Sequence, residues 1–497
     1  MGIKSVKTSC AGWPAIRLAS LVIVAVAMIG CSKSTDPTGS GALTGVVRVP
    51  YTTAATGAPA IGAQVRVTGG DFDSLTTSDS TGTFFLAQVP VGTVSITASL
   101  TSCFSGSQTG VQIIKNDTVN VDVTMQSQSD VDTIPLPAIV ETGSARQMEL
   151  VPGANRAILL YDTSGFSPLP PSLLSVNLTD GATQLTQFPD LRQCYDLKIV
   201  SANLAVFSFL SGAGFGLRFV DLGTMAKSGN DVIYDAVPNG FPGHIVLDNS
   251  AQQVFIAHAR QQGAFFSGKV YAVSVAERTV IDADNNPNDG NTAFDSTLIR
   301  QSVGWVYGIA YDNSTNEILV ANRDAGFVTA ISWSQWGTFD RSAHLTLPTT
   351  GVRAIRVTTQ LDQFQPWFLG FAEGTGIALW PQSAAGVRFQ SGAATADLAY
   401  TDPSVAMSSE AHFLVIVPSR QSWFTLFSDF TEPNVDKQQR AVEERSLSTL
   451  HRLYRYESHH FNLPDRGNPR TFAVDAANKK LYVAYGNRPI LEVFCLP

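Results

Sequence analysis

The residues that could do chemistry in this chain are few and scattered. The sequence contains no GxSxG nucleophile turn, no HExxH zinc motif, no phosphate-binding loop, no dinucleotide fingerprint and no CxxCH haem attachment. Of the seven histidines, only His459 and His460 are adjacent. Neighbouring residues of a strand face opposite ways, so this pair cannot ligate one metal together there. No catalytic set is assembled, and we expect a protein that is not an enzyme.

One polar loop carries metal-ligand chemistry. Its hard oxygens stand at alternate positions, an arrangement that suits Ca²⁺. They belong to Asp282, Asp284, Asn286 and Asn288. The match to an EF-type loop is incomplete, because Asp289 stands where glycine is expected and Asp295 where glutamate is expected. Ca²⁺ is therefore the one candidate cofactor, and a polar connecting loop is the alternative.

The first thirty residues have the pattern of an export signal. Three basic residues precede a 13-residue apolar run at 18–30, too short for a typical membrane-spanning helix of about 20 residues. The run ends in Met28-Ile29-Gly30-Cys31, which resembles the bacterial lipobox. That resemblance implies lipidation of Cys31, a membrane partner through the lipid anchor and, with Ser32 following, the outer membrane of the cell envelope. An ordinary signal peptide and an uncleaved anchor are the alternatives.

Composition excludes several classes of protein. The chain is 44% hydrophobic and 15% charged, so it lacks the high charge of disordered chains. Its net charge of -8 becomes -11 if residues 1–30, with three basic and no acidic residues, are removed. An acidic chain is not expected to bind nucleic acid. Residues 31–41 are rich in Ser, Thr and Gly and predict a flexible tether.

The cysteines outside the signal and lipid site are Cys103, Cys194 and Cys495. One disulfide can form among three, and the sequence does not choose the pair. Buried free cysteines are the interpretation that we favour.

Residues 42–126 predict a small β-sandwich. Short runs alternate apolar and polar residues and are separated by turn-forming residues. Its motifs, at 44–47 (TGVV), 61–65 (IGAQV), 79–84 (DSTGTF) and 89–92 (VPVG), resemble those of the carboxypeptidase regulatory-like family. The resemblance implies a transthyretin-like, carbohydrate-binding-like fold that serves as a spacer or adhesion module and lacks catalytic residues.

Residues 131–497 repeat one unit. Three copies are clear, at 245–257 (IVLDNSAQQVFIA), 309–321 (IAYDNSTNEILVA) and 472–484 (FAVDAANKKLYVA). Each predicts a strand that ends at Asp, an Asx-type turn and a buried second strand. With four weaker copies, the apolar runs begin at residues 158, 204, 254, 318, 367, 413 and 481. A period of about 40–50 residues is typical of β-propeller blades.

The fold class that follows is all-β: a small N-terminal sandwich plus a seven-bladed β-propeller. The two long spacings predict insertions near 282–300 and 430–468. We also expect residues 131–138 to supply the outer strand of the last blade, which would close the ring and hide its sheet edges. The segments at 480–484 (KLYVA) and 317–321 (EILVA) resemble the YVTN family of surface propellers, which implies the fold but no particular function.

Three residues are candidates for a ligand pocket. His244 precedes a first strand, the strand that lines a propeller's channel, while His258 and Arg323 follow second strands. Solvated loop positions are the alternative. The arginines and tyrosines of 436–460 could bind an anionic polymer, but interleaved glutamates favour a solvated insertion with an outer strand.

The function that we expect is that of a membrane-tethered extracytoplasmic lipoprotein, periplasmic or surface-exposed. Its propeller would act as a non-catalytic binding or scaffold module for a protein or glycan. The alternatives are a propeller enzyme, either a lactonase-like hydrolase or an oxidoreductase, and a carbohydrate-binding envelope protein. Two or more acidic or histidine side chains around a metal-sized gap in the channel would favour an enzyme.

Overall fold

The computed structural model is all-β. It describes residues 39–49, 58–100, 104–127, 132–138, 144–162, 170–237, 240–241, 243–248, 250–262, 265–281, 294–295, 306–322, 327–332, 352–356, 368–380, 385–393, 396–401, 414–428, 440–456, 469–485 and 488–496. Within these ranges there is no α-helix, and the one short 3₁₀ helix is Pro418–Arg420. No helix of the described chain is long and apolar enough to cross a membrane.

Ten strands build the N-terminal sandwich. They are β1 (Ser40–Val49), β2 (Ala58–Pro59), β3 (Gln64–Gly69), β4 (Phe72–Thr77), β5 (Thr83–Pro90), β6 (Gly92–Leu100), β7 (Phe104–Ile113), β8 (Thr118–Asn120), β9 (Val123–Thr124) and β10 (Gln126–Ser127). One sheet has the order β2-β1-β5, with β8 and β9 parallel to β1, and the other has the order β10-β7-β6-β3-β4. Every second residue of β1 is buried, as its alternating sequence predicts.

The turn predicted at residues 79–84 forms as expected. The Asp79 carboxylate accepts hydrogen bonds from the backbone N–H groups of Thr81 at 2.8 Å and Thr83 at 3.0 Å. Gly82 takes the left-handed conformation with φ of 76°, which glycine adopts at no steric cost.

Seven sheets of at least four strands follow the sandwich. The first is β12 (Ser144–Leu150), β13 (Arg156–Asp162), β14 (Ser172–Asn177) and β15 (Thr183–Gln187). The second is β16 (Leu191–Ser201), β17 (Leu204–Ser211), β18 (Gly214–Asp221), β19 (Ala226–Lys227) and β20 (Val232–Asp235). The third is β21 (Gly240–Phe241), β22 (Ile245–Leu247), β23 (Gln253–Gln262), β24 (Phe265–Ser274), β25 (Thr279–Ile281) and β26 (Phe294–Asp295).

The later sheets repeat the same antiparallel order. The fourth is β27 (Val306–Asp312), β28 (Glu317–Asn322), β29 (Phe327–Ser332) and β30 (Val352–Arg356). The fifth is β31 (Phe368–Ala372), β32 (Thr375–Trp380), β33 (Ala385–Gln390) and β34 (Leu398–Thr401). The sixth is β35 (Leu414–Val417), β36 (Ser422–Ser428), β37 (Arg440–Ser446) and β38 (Arg452–Tyr456), and the seventh contains β39 (Pro469–Asp475), β40 (Lys480–Tyr485) and β41 (Ile490–Cys495).

The seventh sheet takes its fourth strand from far upstream. Residues 132–135 form β11 (Asp132–Pro135), which pairs antiparallel with β41. Ile134 and Leu136 are buried there against Tyr482 and Leu491. The outer position of the last sheet is therefore occupied by the segment that directly precedes the first sheet.

The predicted Asx turns join the first and second strands of the clear repeats. The Asp248 carboxylate accepts the backbone N–H of Gln252 at 2.7 Å, and the Asp475 carboxylate accepts that of Asn478 at 2.9 Å. A left-handed residue then begins the second strand, Ala251 in one case and Lys479 in the other.

Two features differ from the sequence expectations. The apolar runs near 367 and 413 fall on β31 and β35, which are first strands of their sheets and not second strands. Residues 440–456, part of the expected solvated insertion with an outer strand, supply the outer strand β38 and also the third strand β37 of the sixth sheet. Glu443 and Arg445 are 0% and 1% exposed, since each charge is paired inside the sheet.

The cysteines correct a further expectation. Cys495 is disulfide-bonded, whereas Cys194 is free and buried. The other three cysteines, Cys10, Cys31 and Cys103, lie outside the described residues. Cys495 and Tyr454 pack against the sandwich core, so the sixth and seventh sheets contact the N-terminal module.

Candidate binding cavity

The first strands of sheets one to six border one cavity of about 560 Å³. β12, β16, β22, β27, β31 and β35 each contribute residues to its wall. Side chains alternate along a strand, so every second residue of these strands can point into this shared space.

The wall formed by the first three sheets is charged. The Lys198 ammonium lies 2.6 Å from Glu149 Oε1 and 3.8 Å from Asp196 Oδ1. His244 Nδ1 lies 3.3 Å from the other oxygen of Asp196, and Gln147 Nε2 donates to Glu149 Oε1 at 3.1 Å. We refer to Glu149, Asp196, Lys198 and His244 as the charged wall.

Backbone irregularity holds Asp196 in place. The register between β16 and β17 shifts between Cys194 and Leu197, and such a bulge re-aims the side chains beside it. The Asp196 carboxylate then accepts the backbone N–H of Ile245 at 2.8 Å and that of Leu197 at 2.8 Å. These bonds tie the second sheet to the third.

Close backbone packing positions His244. A Cβ at Gly243 would lie 0.9 Å from the carbonyl oxygen of Ala257, so only glycine fits. The backbone carbonyl of His244 accepts a hydrogen bond from the backbone N–H of Ala257 at 3.0 Å.

The charges of the wall stabilise one another. Burial opposes ionisation of Asp196, but Lys198 and His244 outweigh it and lower the pKa of this carboxyl. Burial likewise opposes the charge of Lys198, and the two carboxylates raise the pKa of its ammonium. Asp196 and Lys198 are therefore both charged at neutral pH.

The wall formed by the fourth, fifth and sixth sheets is mostly apolar. These sheets supply Ile309, Leu369, Phe371, Leu414 and Ile416, together with the polar Tyr311 and Asn313. Of the apolar residues, Leu369 and Ile309 are buried, while the other three are partly exposed to the cavity. The space thus separates a charged face from a hydrophobic face, which is the general composition of small-molecule sites.

The arrangement lacks the open carboxylate gap that would hold a metal. An ammonium occupies the position between Glu149 and Asp196. Within the described residues, no group of three or more His, Cys, Asp or Glu side chains is arranged to hold a metal ion. The charged wall therefore has the chemistry to hydrogen-bond and attract a ligand.

The structure separates the residues that the sequence singled out. His244 lies in the charged wall. His258 is 0% exposed and sits between Phe215, Tyr234 and Tyr271, with Nε2 3.3 Å from Asp235, so it is not brought to the cavity. Arg323, Cys31 and the candidate Ca²⁺ ligands Asp282, Asp284, Asn286 and Asn288 lie outside the described residues.

Sequence reasoning missed the other members of the charged wall. Gln147 and Glu149 are two residues apart on β12, as are Asp196 and Lys198 on β16. That spacing places each pair on one face of its strand. Charged residues at alternate positions of a first strand were the available signal.

A second charged cluster lies within the sixth sheet. Glu443 pairs with Arg445 at 2.7 Å and Arg452 at 2.9 Å. Glu444 accepts hydrogen bonds from Arg420 at 3.0 Å, Ser422 at 2.7 Å and Tyr456 at 2.8 Å. We call these residues the sixth-sheet network. Its charges are paired internally, which argues against the anionic-polymer site considered for 436–460.

A larger groove of about 1020 Å³ lies on the sandwich. Its charged pair, Arg66 and Asp73, is 59% and 51% exposed. Exposed pairs of this kind contribute little binding energy because water screens them. The central cavity, with its partly buried charges, is the better candidate.

Comparison with known proteins finds a family for the N-terminal part of the chain. Residues 34–126 match the family model of the carboxypeptidase regulatory-like domain. No curated protein matches the chain in sequence.

Several solved structures resemble the fold. The Cps50 (Swd1) β-propeller domain of Myceliophteria thermophila is 9% identical, with coverage of 71% of this chain and 97% of that one and a TM-score of 0.48. A putative 6-phosphogluconolactonase from Bacteroides uniformis is 12% identical, with coverage of 68% and 92% and a TM-score of 0.44. Hydrazine synthase of Kuenenia stuttgartiensis is 14% identical, with coverage of 60% and 74% and a TM-score of 0.41. These similarities say nothing about a ligand or a reaction.

Proposed function

We propose that the chain is a lipid-anchored extracytoplasmic binding protein whose ligand occupies the central cavity. The observation that carries the proposal is the two-part lining of that cavity, with the charged wall in one part and Leu369, Phe371 and Ile416 in the other. Such a site can bind a molecule with one polar end and one apolar end. The function is binding without catalysis, because Lys198 bridges the two carboxylates of the wall and holds them in place.

The proposal includes a seven-bladed β-propeller closed by β11. Each of the seven sheets is one blade, and the cavity is part of the central channel. The pairing of β11 with β41 supports closure, since it joins the last sheet to the segment that enters the first. Closure of this type leaves no exposed edge in the ring.

The proposal also places the protein outside the cytoplasm. Residues 1–30 would be removed, Cys31 would carry the lipid, and the sandwich would hold the propeller away from the bilayer. The disulfide of Cys495 supports this location, because disulfides persist in oxidising compartments. Radioactive palmitate should label the wild type expressed in a bacterium and not the Cys31→Ser variant; equal labelling of both would contradict the anchor.

The disulfide gives an independent test of location. Protein purified from the envelope without reductant should contain no alkylatable Cys495, and Cys495→Ser should lower the free energy of unfolding by about 2–4 kcal/mol. Burial raises the pKa of the Cys194 thiol well above its usual range, with a further contribution from Asp162, so Cys194 should resist alkylation until the protein unfolds. Rapid labelling of Cys495 in the native protein would argue against an oxidising compartment.

The binding function is tested by native mass spectrometry of full-length protein isolated from its own envelope in mild detergent. A bound small molecule is expected in the wild type and not in Ile416→Trp, which fills the cavity from its apolar side. Leu453→Trp is the matched control, because Leu453 is 37% exposed on the sixth sheet. Loss of the molecule in both variants, or retention in both, would contradict binding in the cavity.

An enzymatic function is the second candidate, because Glu149, Asp196 and His244 share the cavity wall. A propeller hydrolase acting on lactones would need one of these groups to activate water. Lactone hydrolysis that Asp196→Asn and His244→Gln both abolish, with folding intact, would favour the enzyme over the binding protein.

A further inference from the structure

We infer that the ligand of the central cavity is a small amphiphilic cation, with an ammonium head at the charged wall and an apolar body against the apolar wall. This inference rests on the proposed binding function and adds the chemical class of the ligand. It depends on the charge count, the acceptor geometry and the apolar lining.

The described lining carries an excess of negative charge. Its carboxylates are Glu149, Asp196 and Asp248, and its basic side chains are Lys198 and His244. The Asp248 carboxylate is engaged within its own turn, where it accepts hydrogen bonds from Ser250, Gln252 and Gln253. Asp196 is paired with Lys198 and bonded to His244, whereas the described charged partner of Glu149 is Lys198, which it shares with Asp196. A second cation would complete the pairing of Glu149.

Glu149 retains acceptor capacity for such a cation. Its described hydrogen bonds, from Lys198 and Gln147, both reach Oε1, and none reaches Oε2. The side chain lines the cavity and is 27% exposed. A carboxylate that bridges a protein ammonium and a ligand ammonium makes charge-assisted hydrogen bonds, which are stronger than neutral ones.

The apolar wall strengthens this preference. The partly exposed Phe371, Leu414 and Ile416 line the same cavity as the charges, and low-dielectric walls focus the field of a charged cleft. An anion would meet the carboxylates with Lys198 already engaged by both. The same apolar wall would cover a hydrocarbon body of the ligand, at about 0.8 kcal/mol for each buried CH₂ group.

The test uses three six-carbon probes on the detergent-solubilised full chain: hexylammonium, hexanol and hexanoate. Calorimetric titration should give a Kd for hexylammonium at least tenfold below that for hexanol, with no binding of hexanoate. Equal affinity for all three, or preference for hexanoate, would overturn the inference. A blocked lysine tetrapeptide is a fourth probe. If it binds more tightly than hexylammonium, the natural cation is a protein side chain. If it binds more weakly, the natural cation is a free amine.

Two variants are expected to change the affinity for hexylammonium in opposite directions. Glu149→Gln should weaken hexylammonium binding about tenfold and leave hexanol unchanged. Lys198→Met should strengthen hexylammonium binding, because the ligand ammonium takes the place of the lysine, and the amine should raise the Tm of this variant more than that of the wild type. Glu277→Gln, at an exposed turn, is the matched control. If Lys198→Met does not fold without amine, refolding in the presence of hexylammonium but not of hexanol would also support the inference. Refolding with neither compound would count against it.

The failures of the two proposals can be told apart. If hexanol binds as tightly as hexylammonium and Ile416→Trp abolishes this binding, the cationic ligand is excluded. The cavity would then remain a binding site. If no probe binds and envelope-purified protein carries no molecule, both the cationic ligand and the binding function are excluded.

Discussion

The charged wall and the sixth-sheet network contain the same chemistry in different settings. Both join carboxylates to basic side chains across neighbouring strands. In the sixth-sheet network, Glu443 and Glu444 are 0% and 1% exposed, and both oxygens of each carboxylate are engaged. In the charged wall, Glu149 and Lys198 remain 27% and 28% exposed.

The difference teaches that accessible acceptor capacity, and not the density of charge in the sequence, marks a binding site. The segment 436–460 contains four arginines close together in sequence. In the structure, however, Arg445 and Arg452 both form ion pairs with Glu443. The charged wall draws four residues from three separate sheets and is inconspicuous in the sequence. A saturated network contributes to folding, while an unsaturated one can exchange partners with a ligand.

The largest expected effect comes from breaking the saturated network. Glu444→Gln should lower the free energy of unfolding by about 3–5 kcal/mol, because it leaves Arg420 without its buried counter-charge. Urea unfolding followed by tryptophan fluorescence measures it, with Glu277→Gln as the exposed control. A loss below about 1 kcal/mol would show that the sixth-sheet network is not structural and would remove the contrast.

An intermediate effect is expected at Asp196, which is 3% exposed and bonded to two backbone N–H groups. Asp196→Asn should cost about 1–3 kcal/mol at pH 7. Because the folded pKa lies below the ordinary value of 3.8, the carboxylate contributes fully above that pH. Its contribution is lost as the pH falls through the lowered value, so wild type and variant should converge in stability towards pH 2. A difference that stays constant from pH 7 to pH 2 would mean that ionisation of Asp196 does not stabilise the fold.

The smallest effect is expected at Glu149. Glu149→Gln should change the free energy of unfolding by less than about 1 kcal/mol, since its pair with Lys198 is more than a quarter exposed and partly screened. The same urea titration measures it, and a small change here beside a large one at Glu444 would sharpen the comparison. Destabilisation as large as that of Glu444→Gln would instead place both clusters among structural networks.

Much of the architecture could be predicted because it rests on local patterns. Alternation located the sandwich strands, and the Asp turns located the hairpins at Asp248, Asp312 and Asp475. In sheets five and six, the sequence predicted second strands where the structure has the first strands β31 and β35. The reason is that these first strands carry apolar runs that resemble second strands.

The candidate site could be predicted only in part. His244 was found from its place before a first strand, but Glu149, Asp196 and Lys198 meet it through contacts between sheets that no local pattern encodes. His258 shares the local signal of a pocket residue, yet the packing of Phe215, Tyr234 and Tyr271 around it fixes its burial.

The pairing of β11 with β41 also has a consequence for biosynthesis. Ile134 can pair with Leu491 only after Leu491, 357 positions later in the chain, has been synthesised. At about 5–20 residues per second, translation takes on the order of 20–70 s to cover that interval. Contacts of such long range form late, since their loop-closure entropy must be met first. The seventh sheet is therefore completed only after nearly the whole chain has been made. The unfolded chain that the proposed export requires would be available during that period.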